Sequence, residues 1–319
     1  MKPHDLKTHI HITDVGPRDG LQNESTPISS EIKIALVEKL AAAGVLNVES
    51  ASFVSPKWVP QMADGAAVLS GVLSGVLASN KRNPAVTYSA LTPNMRGFEA
   101  ALAAGAQEIV IFAAASEAFS QKNTNCSIAE SIERFRPVVK EAFAAGVQVR
   151  AAVSVAFGCP YQGDVSVQDV VDVARRIDDL GLNTNSGTIG IADTIGTGIP
   201  TLTTDIYEAV AKHIPMARLA GHFHDTYGMA LANTVAALNV GVTRYESSVG
   251  GLGGCPYAKG ATGNVATEDL VYLLHRMGYD TGIDLDQLID IGAWISQIIN
   301  KPYLSRVGKA LLTKRAVVQ

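Results

Sequence analysis

TIGIADTIGTGIPTLTTDIYEAVAKHIPMARLAGHFHD, residues 188–225, decides the fold. A short β-branched run, Thr188 to Ala192, gives way to a helical pattern, Pro200 to His213, and then to a second apolar run, Leu219 to Phe223. Strand, helix, strand in that order is the unit that joins parallel strands through a crossover. The same alternation continues outward in both directions. Further strands are expected at His9–Val15, Asn47–Ala51, Ala85–Ala90, Glu108–Ala113, Gln148–Val155 and Arg244–Val249. Helices are expected at Ser30–Ala43, Asp64–Ser79, Pro93–Ala104, Ser127–Ala145, Ser166–Leu180, Met229–Asn239 and Thr267–Met277. Six of the helices stop at glycine (Gly44, Gly105, Gly146, Gly181, Gly241 and Gly278), the residue that takes up a left-handed helix end at least cost. Eight strands alternating with eight helices favour an α/β fold closed as a (β/α)8 barrel over an open doubly wound sheet. The first turn, VGPRDG, is no dinucleotide fingerprint. Residues 1–319 are read as one domain, a barrel over about 9–278 with extra C-terminal helices over about 279–319, near Leu285–Asn300 and Tyr303–Leu312.

Composition excludes several classes. Of 319 residues, 47% are hydrophobic and 18% charged, against about 25% charged on average, so the chain is core-rich and globular. Lys plus Arg total 26 and Asp plus Glu 30, a net charge of −4 with no dense basic cluster, so no nucleic-acid partner is expected. Three cysteines, Cys126, Cys159 and Cys255, are too few to staple so large a domain and suggest a reducing compartment. The N-terminal MKPHDLKTHIHI lacks the apolar core of a secretion signal, so a cytoplasmic location is expected. The stretch Ala66–Ala78 is too short to span a membrane, and Val68, Leu69, Val72, Leu73, Val76 and Leu77 form one helical stripe. A helix packed on the core is therefore expected in place of a membrane dimer built on Gly71 and Gly75. A homodimer or higher homo-oligomer is expected.

In such a barrel the site lies at the C-terminal ends of the strands. Polar residues gather there: Arg18, Asp19 and Gln22 after the first strand, Glu49 on the second, Asp193 after the sixth, and His222 and His224 on the seventh. The eighth runs into GGLGGCPYAKGATGN, residues 250–264, with Cys255 and Asn264. Alternate strand residues share a face, so His222 and His224 converge as half of a metal site, or else as hydrogen-bonded histidines of a polar layer. Asp225 reads as a helix cap or as a group orienting an imidazole. Arg18 with Asp19 is a surface ion pair unless it faces the histidines. If it does, Asp19, His222, His224 and Asn264 make a mixed nitrogen and oxygen set without thiolate, suited to catalytic Mg2+ or Mn2+. Glu49 is either a buried structural carboxylate or the partner that orients Arg18, and Asp193 either caps a turn or serves the site. The glycine-rich 250–264 segment is an irregular turn, a phosphate cradle or, the reading favoured because it bears Cys255 and ends at Asn264, a mobile lid. Its Cys255 is either a small buried hydrophobe or a proton donor. Cys159, in GCPY at 158–161, is assigned no chemistry, and Cys126 is structural.

These residues sit in segments that resemble the 3-hydroxy-3-methylglutaryl-CoA lyase family of metal-dependent TIM barrels. The segments are VGPRDGLQNE at 15–24, SFVSPKWVPQMAD at 52–64, KNTNCSI at 122–128, GCPYQG at 158–163, DTIGTG at 193–198, HFHDTYGMALANT at 222–234 and GGLGGCPYAKGATGNVATEDLVYLL at 250–274. The resemblance implies cleavage of an acyl-CoA substrate, 3-hydroxy-3-methylglutaryl-CoA, to acetyl-CoA and acetoacetate in leucine catabolism. It implies Asp19, His222, His224 and Asn264 as ligands of Mg2+ or Mn2+ and Arg18 as the stabiliser of enolate charge. Cys255 follows as a catalytic lid cysteine, with Glu49 and Asp193 as the remaining catalytic carboxylates and His222 also in the catalytic set. Ser25 and Gly190 depart from residues that some members carry. A lyase for a related branched 3-hydroxyglutaryl-CoA, or an aldolase or condensing enzyme of the same superfamily, is the nearest alternative; a non-enzymatic acyl-CoA-binding barrel is disfavoured by the intact polar set.

Overall fold

A computed structural model of the chain describes residues 8–75, 84–185, 187–254 and 263–318. Among them, eight parallel strands close into a barrel in sequence order. They are β1 (His11–Asp14), β2 (Asn47–Ser52), β3 (Thr87–Leu91), β4 (Glu108–Ala114), β5 (Gln148–Ser154), β6 (Thr188–Asp193), β7 (Leu219–Phe223) and β8 (Arg244–Ser247). Closure is made by β8 against β1, from His11 beside Arg244 to Asp14 beside Ser247. Every strand expected from the sequence is present, and the fold is a TIM barrel.

Between the strands run α1 (Ser30–Ala42), α2 (Gly65–Ser74), α3 (Met95–Ala103), α4 (Glu117–Thr124), α5 (Ile128–Ala144), α6 (Val167–Asp178), α7 (Pro200–Ala211) and α8 (Ala230–Asn239). The chain ends with α9 (Thr267–Met277), α10 (Leu285–Ile298) and α11 (Arg306–Val318). All six stop glycines adopt positive φ, and at Gly44 any Cβ would collide with the carbonyl oxygen of Gly282. Along α2, Val68, Leu69 and Val72 are buried, and a Cβ on Gly71 would press on the Ile34 side chain of α1. The apolar stripe thus packs on a neighbouring helix; its continuation, Val76 and Leu77, lies outside the described residues.

Two elements differ from the sequence reading. Helix α4 was not anticipated. It is a short helix whose Ser116 hydroxyl accepts from the Phe119 N–H and whose end is closed by Asn125 at φ 52°. Helix α11 starts at Arg306, three residues later than expected, because its cap is remote. The Asp269 carboxylate of α9 accepts from the N–H groups of Arg306 and Val307 and from the Ser305 hydroxyl, so tertiary contact sets this boundary.

Strand register stacks polar side chains inside the barrel. His222 lies beside Glu246 on β7 and β8, Glu49 beside Ser89 on β2 and β3, and Ser89 beside Glu108 on β4. A second buried polar group joins the barrel to the C-terminal helices. Asp14 accepts from the Thr267 hydroxyl at 2.7 Å and from the Gly16 N–H at 2.8 Å. Glu268 accepts from the Gly250 N–H at 2.9 Å and from the Tyr303 hydroxyl at 2.8 Å.

Burial raises Asp14 to about 7 and Glu268 to about 8, the latter against an ordinary value of 4.5, with the Asp14 charge adding to the effect on Glu268. The folded state therefore holds the Glu268 proton where the unfolded chain has released it. The stabilisation this gives is complete below pH 4.5 and is lost as pH rises through about 8. The thermal midpoint of the wild type should fall across that window, and that of Glu268→Gln should fall less. Parallel pH profiles for the two proteins would contradict this.

Candidate active site

The first polar group is built by a tight turn. Residues Gly16–Gly20 form a single π-helical turn after β1, with the N–H groups of Arg18, Asp19 and Gly20 all donating to the Val15 carbonyl. Gly16 and Gly20 are needed for close approach. A Cβ on Gly20 would lie 2.8 Å from the Leu252 Cβ, and one on Gly16 3.1 Å from the Ser248 hydroxyl. The turn thus seats against the segment after β8 and aims Arg18 and Asp19 into the barrel mouth. Arg18 donates from Nη1 to Asp19 Oδ1 at 2.6 Å and from Nε to Glu49 Oε1.

Strand alternation brings in the imidazoles. Asp19, His222 and His224 each offer a ligand atom, all within 4.8 Å of one another. Asn264 joins them through a short antiparallel pairing at the end of β7. The Val265 N–H donates to the Phe223 carbonyl and the Asp225 N–H to the Gly263 carbonyl, which sets Asn264 beside His224. Asn264 Nδ2 donates to Asp19 Oδ2 at 2.8 Å. The buried atoms His224 Nδ1 and Asn264 Oδ1 have no hydrogen-bond partner among the described residues. Orphaned polar atoms of this kind are uncommon in a folded interior and mark a place for a missing partner.

The electrostatics match. Burial alone would raise the Asp19 carboxyl, but the charges of Arg18, His222 and His224, with the Asn264 bond, hold it at about 2. Burial and the neighbouring His222 depress His224 to about 3, so its ring is a neutral ligand donor at neutral pH. Burial lowers His222, but the bond from Nδ1 to Glu246 Oε2 at 2.8 Å, together with the charges of Glu246 and Asp19, outweighs it and the ring is raised overall. With Nδ1 so occupied, Nε2 is the nitrogen left to it.

Two residues of this cluster escaped the sequence reading. Arg150, on β5, donates from Nη2 to Glu49 Oε2 at 2.5 Å and from Nη1 to Glu246 Oε1. It also reaches Glu108 and the Ser89 hydroxyl. Arg150 and Glu246 are 4% and 5% exposed. Burial raises the Glu246 carboxyl, but Arg150 and His222 overcome it and hold it at about 2. The available signal was Arg150 within QVRAAVS and Glu246 within RYES, since a charge at an inward strand position requires a buried partner.

Other expected residues divide. Asp193 is fully buried and accepts from the N–H groups of Thr197 and Gly198, so it does cap the turn after β6. It also lies on the strand next to His222, and burial raises it to about 6. The contacts of Asp225 go to the Ala230 N–H and to Arg306 of α11, with none to an imidazole among the described residues. Gln22 follows the turn, with a buried Oε1 lacking a partner among the described residues. Cys159 takes a bond from the Ser116 hydroxyl and Cys126 is buried. Cys255 lies outside the described residues.

Comparison with known proteins gives a consistent picture. The HMGL-like family model matches residues 9–295. A Pseudomonas aeruginosa protein named 3-hydroxy-3-isohexenylglutaryl-CoA/hydroxy-methylglutaryl-CoA lyase is 52% identical over 309 residues, covering 97% of this chain and 99% of that one. The crystal structure of hydroxymethylglutaryl-CoA lyase from Pseudomonas aeruginosa superposes with a TM-score of 0.91 at 51% identity, covering 98% and 100% of the two chains. An HMG-CoA lyase from Acinetobacter baumannii, solved in complex with coenzyme A and 3-methylmalate, superposes with a TM-score of 0.87 at 34% identity, covering 95% of each.

Asp193→Ala would leave the buried N–H of Gly198 and the part-buried N–H of Thr197 without acceptors, so it should lower stability by about 1–3 kcal/mol, with Asp193→Asn losing less. Equilibrium denaturation of both variants checks this. Wild-type stability in the alanine variant would show that the turn holds without its cap.

Proposed function

The chain belongs to the HMGL-like family, and from that premise we infer that it is a carbon–carbon lyase cleaving 3-hydroxy-3-methylglutaryl-CoA to acetyl-CoA and acetoacetate. The observation that carries this reading is the meeting, at one barrel mouth, of a cluster of cation donors with a guanidinium, Arg18, bonded to one of those donors.

Asp19, His222, His224 and Asn264 fit a divalent cation, since the unpartnered His224 Nδ1 and Asn264 Oδ1 are buried donors in want of one. Imidazole and oxygen donors without thiolate favour Mg2+ or Mn2+. Such an ion, when bound, supplies the Lewis acidity that brings the proton of a tertiary alcohol within reach of a protein base. Asp193 is the carboxyl assigned to take that proton, because Glu49 already accepts from two guanidiniums while Asp193 is raised to about 6. As the bond between C2 and C3 breaks, negative charge grows on the thioester oxygen. Arg18, 12% exposed and fixed by two carboxylates, is the group assigned to balance it, a contribution of about 3 kcal/mol for a fixed donor in such a site. Glu49 orients Arg18, and Glu246 fixes the His222 tautomer. Cys255, on the glycine-rich segment, is assigned the protonation of the acetyl-CoA enolate.

The reaction is placed in leucine catabolism and in the cytoplasm, with a homo-oligomer as the working state. Among the described residues no helix is long and apolar enough to cross a membrane. The name of the Pseudomonas aeruginosa relative covers a second, longer-branched substrate, so 3-hydroxy-3-isohexenylglutaryl-CoA is the alternative to assay beside the methyl compound.

Two outcomes test the reading. EDTA should abolish acetoacetate release from 3-hydroxy-3-methylglutaryl-CoA and Mg2+ or Mn2+ should restore it; undiminished turnover after rigorous chelation would sink the cation assignment. Arg18→Met should lower kcat about 100-fold while Mn2+ still binds, as loss of a transition-state charge partner does. A raised KM with unchanged kcat would make Arg18 a substrate-binding group instead.

A further inference from the structure

Arg150 is not among the partners of Arg18 or of the four candidate ligands, yet the groups that hold Arg18 and His222 are both held by it. Glu49 gives Oε1 to Arg18 and Oε2 to Arg150; Glu246 gives Oε2 to His222 and Oε1 to Arg150. Each carboxylate thus divides its two oxygens between one residue of the site and the same central guanidinium. The result is a chain of five side chains from four strands and the β1 turn: Arg18, Glu49, Arg150, Glu246, His222. Glu108, through Nε of Arg150 at 3.4 Å, and Ser89, through Nη2 at 3.3 Å, brace the centre from outside that chain.

We propose that Arg150 is a positioning residue that fixes the distance between the Arg18 guanidinium and the His222 imidazole, so that charge balancing and cation binding bear on one substrate. The inference rests on the lyase reading of the site. A guanidinium can do this because its two terminal nitrogens lie at a set separation in one plane, whereas a lysine ammonium is a point charge on a flexible stem. Four polar partners leave the planar group little freedom to turn, and Glu49 and Glu246 inherit that constraint.

The discriminating variant is Arg150→Lys, which keeps the buried positive charge and removes the fork. Its Mn2+ dissociation constant, measured on the metal-free protein by calorimetry, should rise about 10-fold, and kcat should fall by about 10- to 100-fold with KM little changed. Arg218→Lys is the control. Arg218 is a partly buried guanidinium, paired with Asp178 and the Gly187 carbonyl away from the site, so its substitution should lower the thermal midpoint and leave Mn2+ binding and kcat as they are. If Arg150→Lys does not fold, the double variant Arg150→Gln with Glu108→Gln keeps the net charge of the cluster and is expected to show the same losses. Wild-type Mn2+ affinity and kcat in a folded Arg150 variant, whatever its midpoint, would overturn the proposal. Wild-type protein assayed in parallel separates the two questions. If it neither binds Mn2+ nor releases acetoacetate, the lyase reading falls and takes this inference with it; if it does both and the variants match it, the inference alone falls.

Discussion

The buried cation at Arg150 is the constraint on which the barrel interior depends. Placing a guanidinium in the middle of a closed sheet costs several kcal/mol of hydration, and the cost is met only if every polar contact is made. Glu49, Glu246 and Glu108 surround it, and two of them would in turn be overcharged without Arg18 and His222 at their far oxygens. Signs therefore alternate along a line that ends at the candidate site. A wholly apolar interior would serve stability at least as well. What an apolar interior could not supply is a fixed spacing between the Arg18 guanidinium and the His222 imidazole at the mouth.

The C-terminal helices have a comparable bearing on the site. The Leu304 N–H donates to the Gly250 carbonyl, the Gly250 N–H donates to Glu268, and the Tyr303 hydroxyl donates to Glu268. The root of the segment after β8 is thus held from below by the extension. Gly16 and Gly20 press the Arg18 turn onto Ser248 and Leu252 of that same root. Asn264 is tied to the turn through Asp19 and to the root through the Leu252 carbonyl. Helices that bear no chemistry therefore fix the level at which Asp19 and Asn264 face His224.

Legibility from sequence followed the range of the forces involved. The strands and the stop glycines are local, set by β-branched runs and by the φ that only glycine takes cheaply, so the barrel could be read residue by residue. Helix α4 could not, because its short segment carries a weak apolar stripe and its signals are two end residues, Ser116 and Asn125. The start of α11 depends on a carboxylate 36 residues away, from Asp269 to Ser305, and no local pattern records that. Within the site, His222 and His224 announced themselves by strand alternation, and Arg18 with Glu49 was one of two stated options. Arg150 and Glu246 were visible only as charges at strand positions; naming their partners requires the register across the barrel, which pairs β7 with β8 and closes β8 on β1.

The central claim is that the two arms of the site act as one unit through the shared guanidinium, and a double-mutant cycle on kcat tests it most directly. Glu49→Gln loosens the Arg18 arm, Glu246→Gln loosens the His222 arm, and the pair is measured beside each single variant. If one rigid chain sets the geometry, the first substitution already spends most of the effect, and the double variant loses far less than the product of the two single losses. Losses that simply multiply would mean that the arms are positioned independently, and would contradict the account.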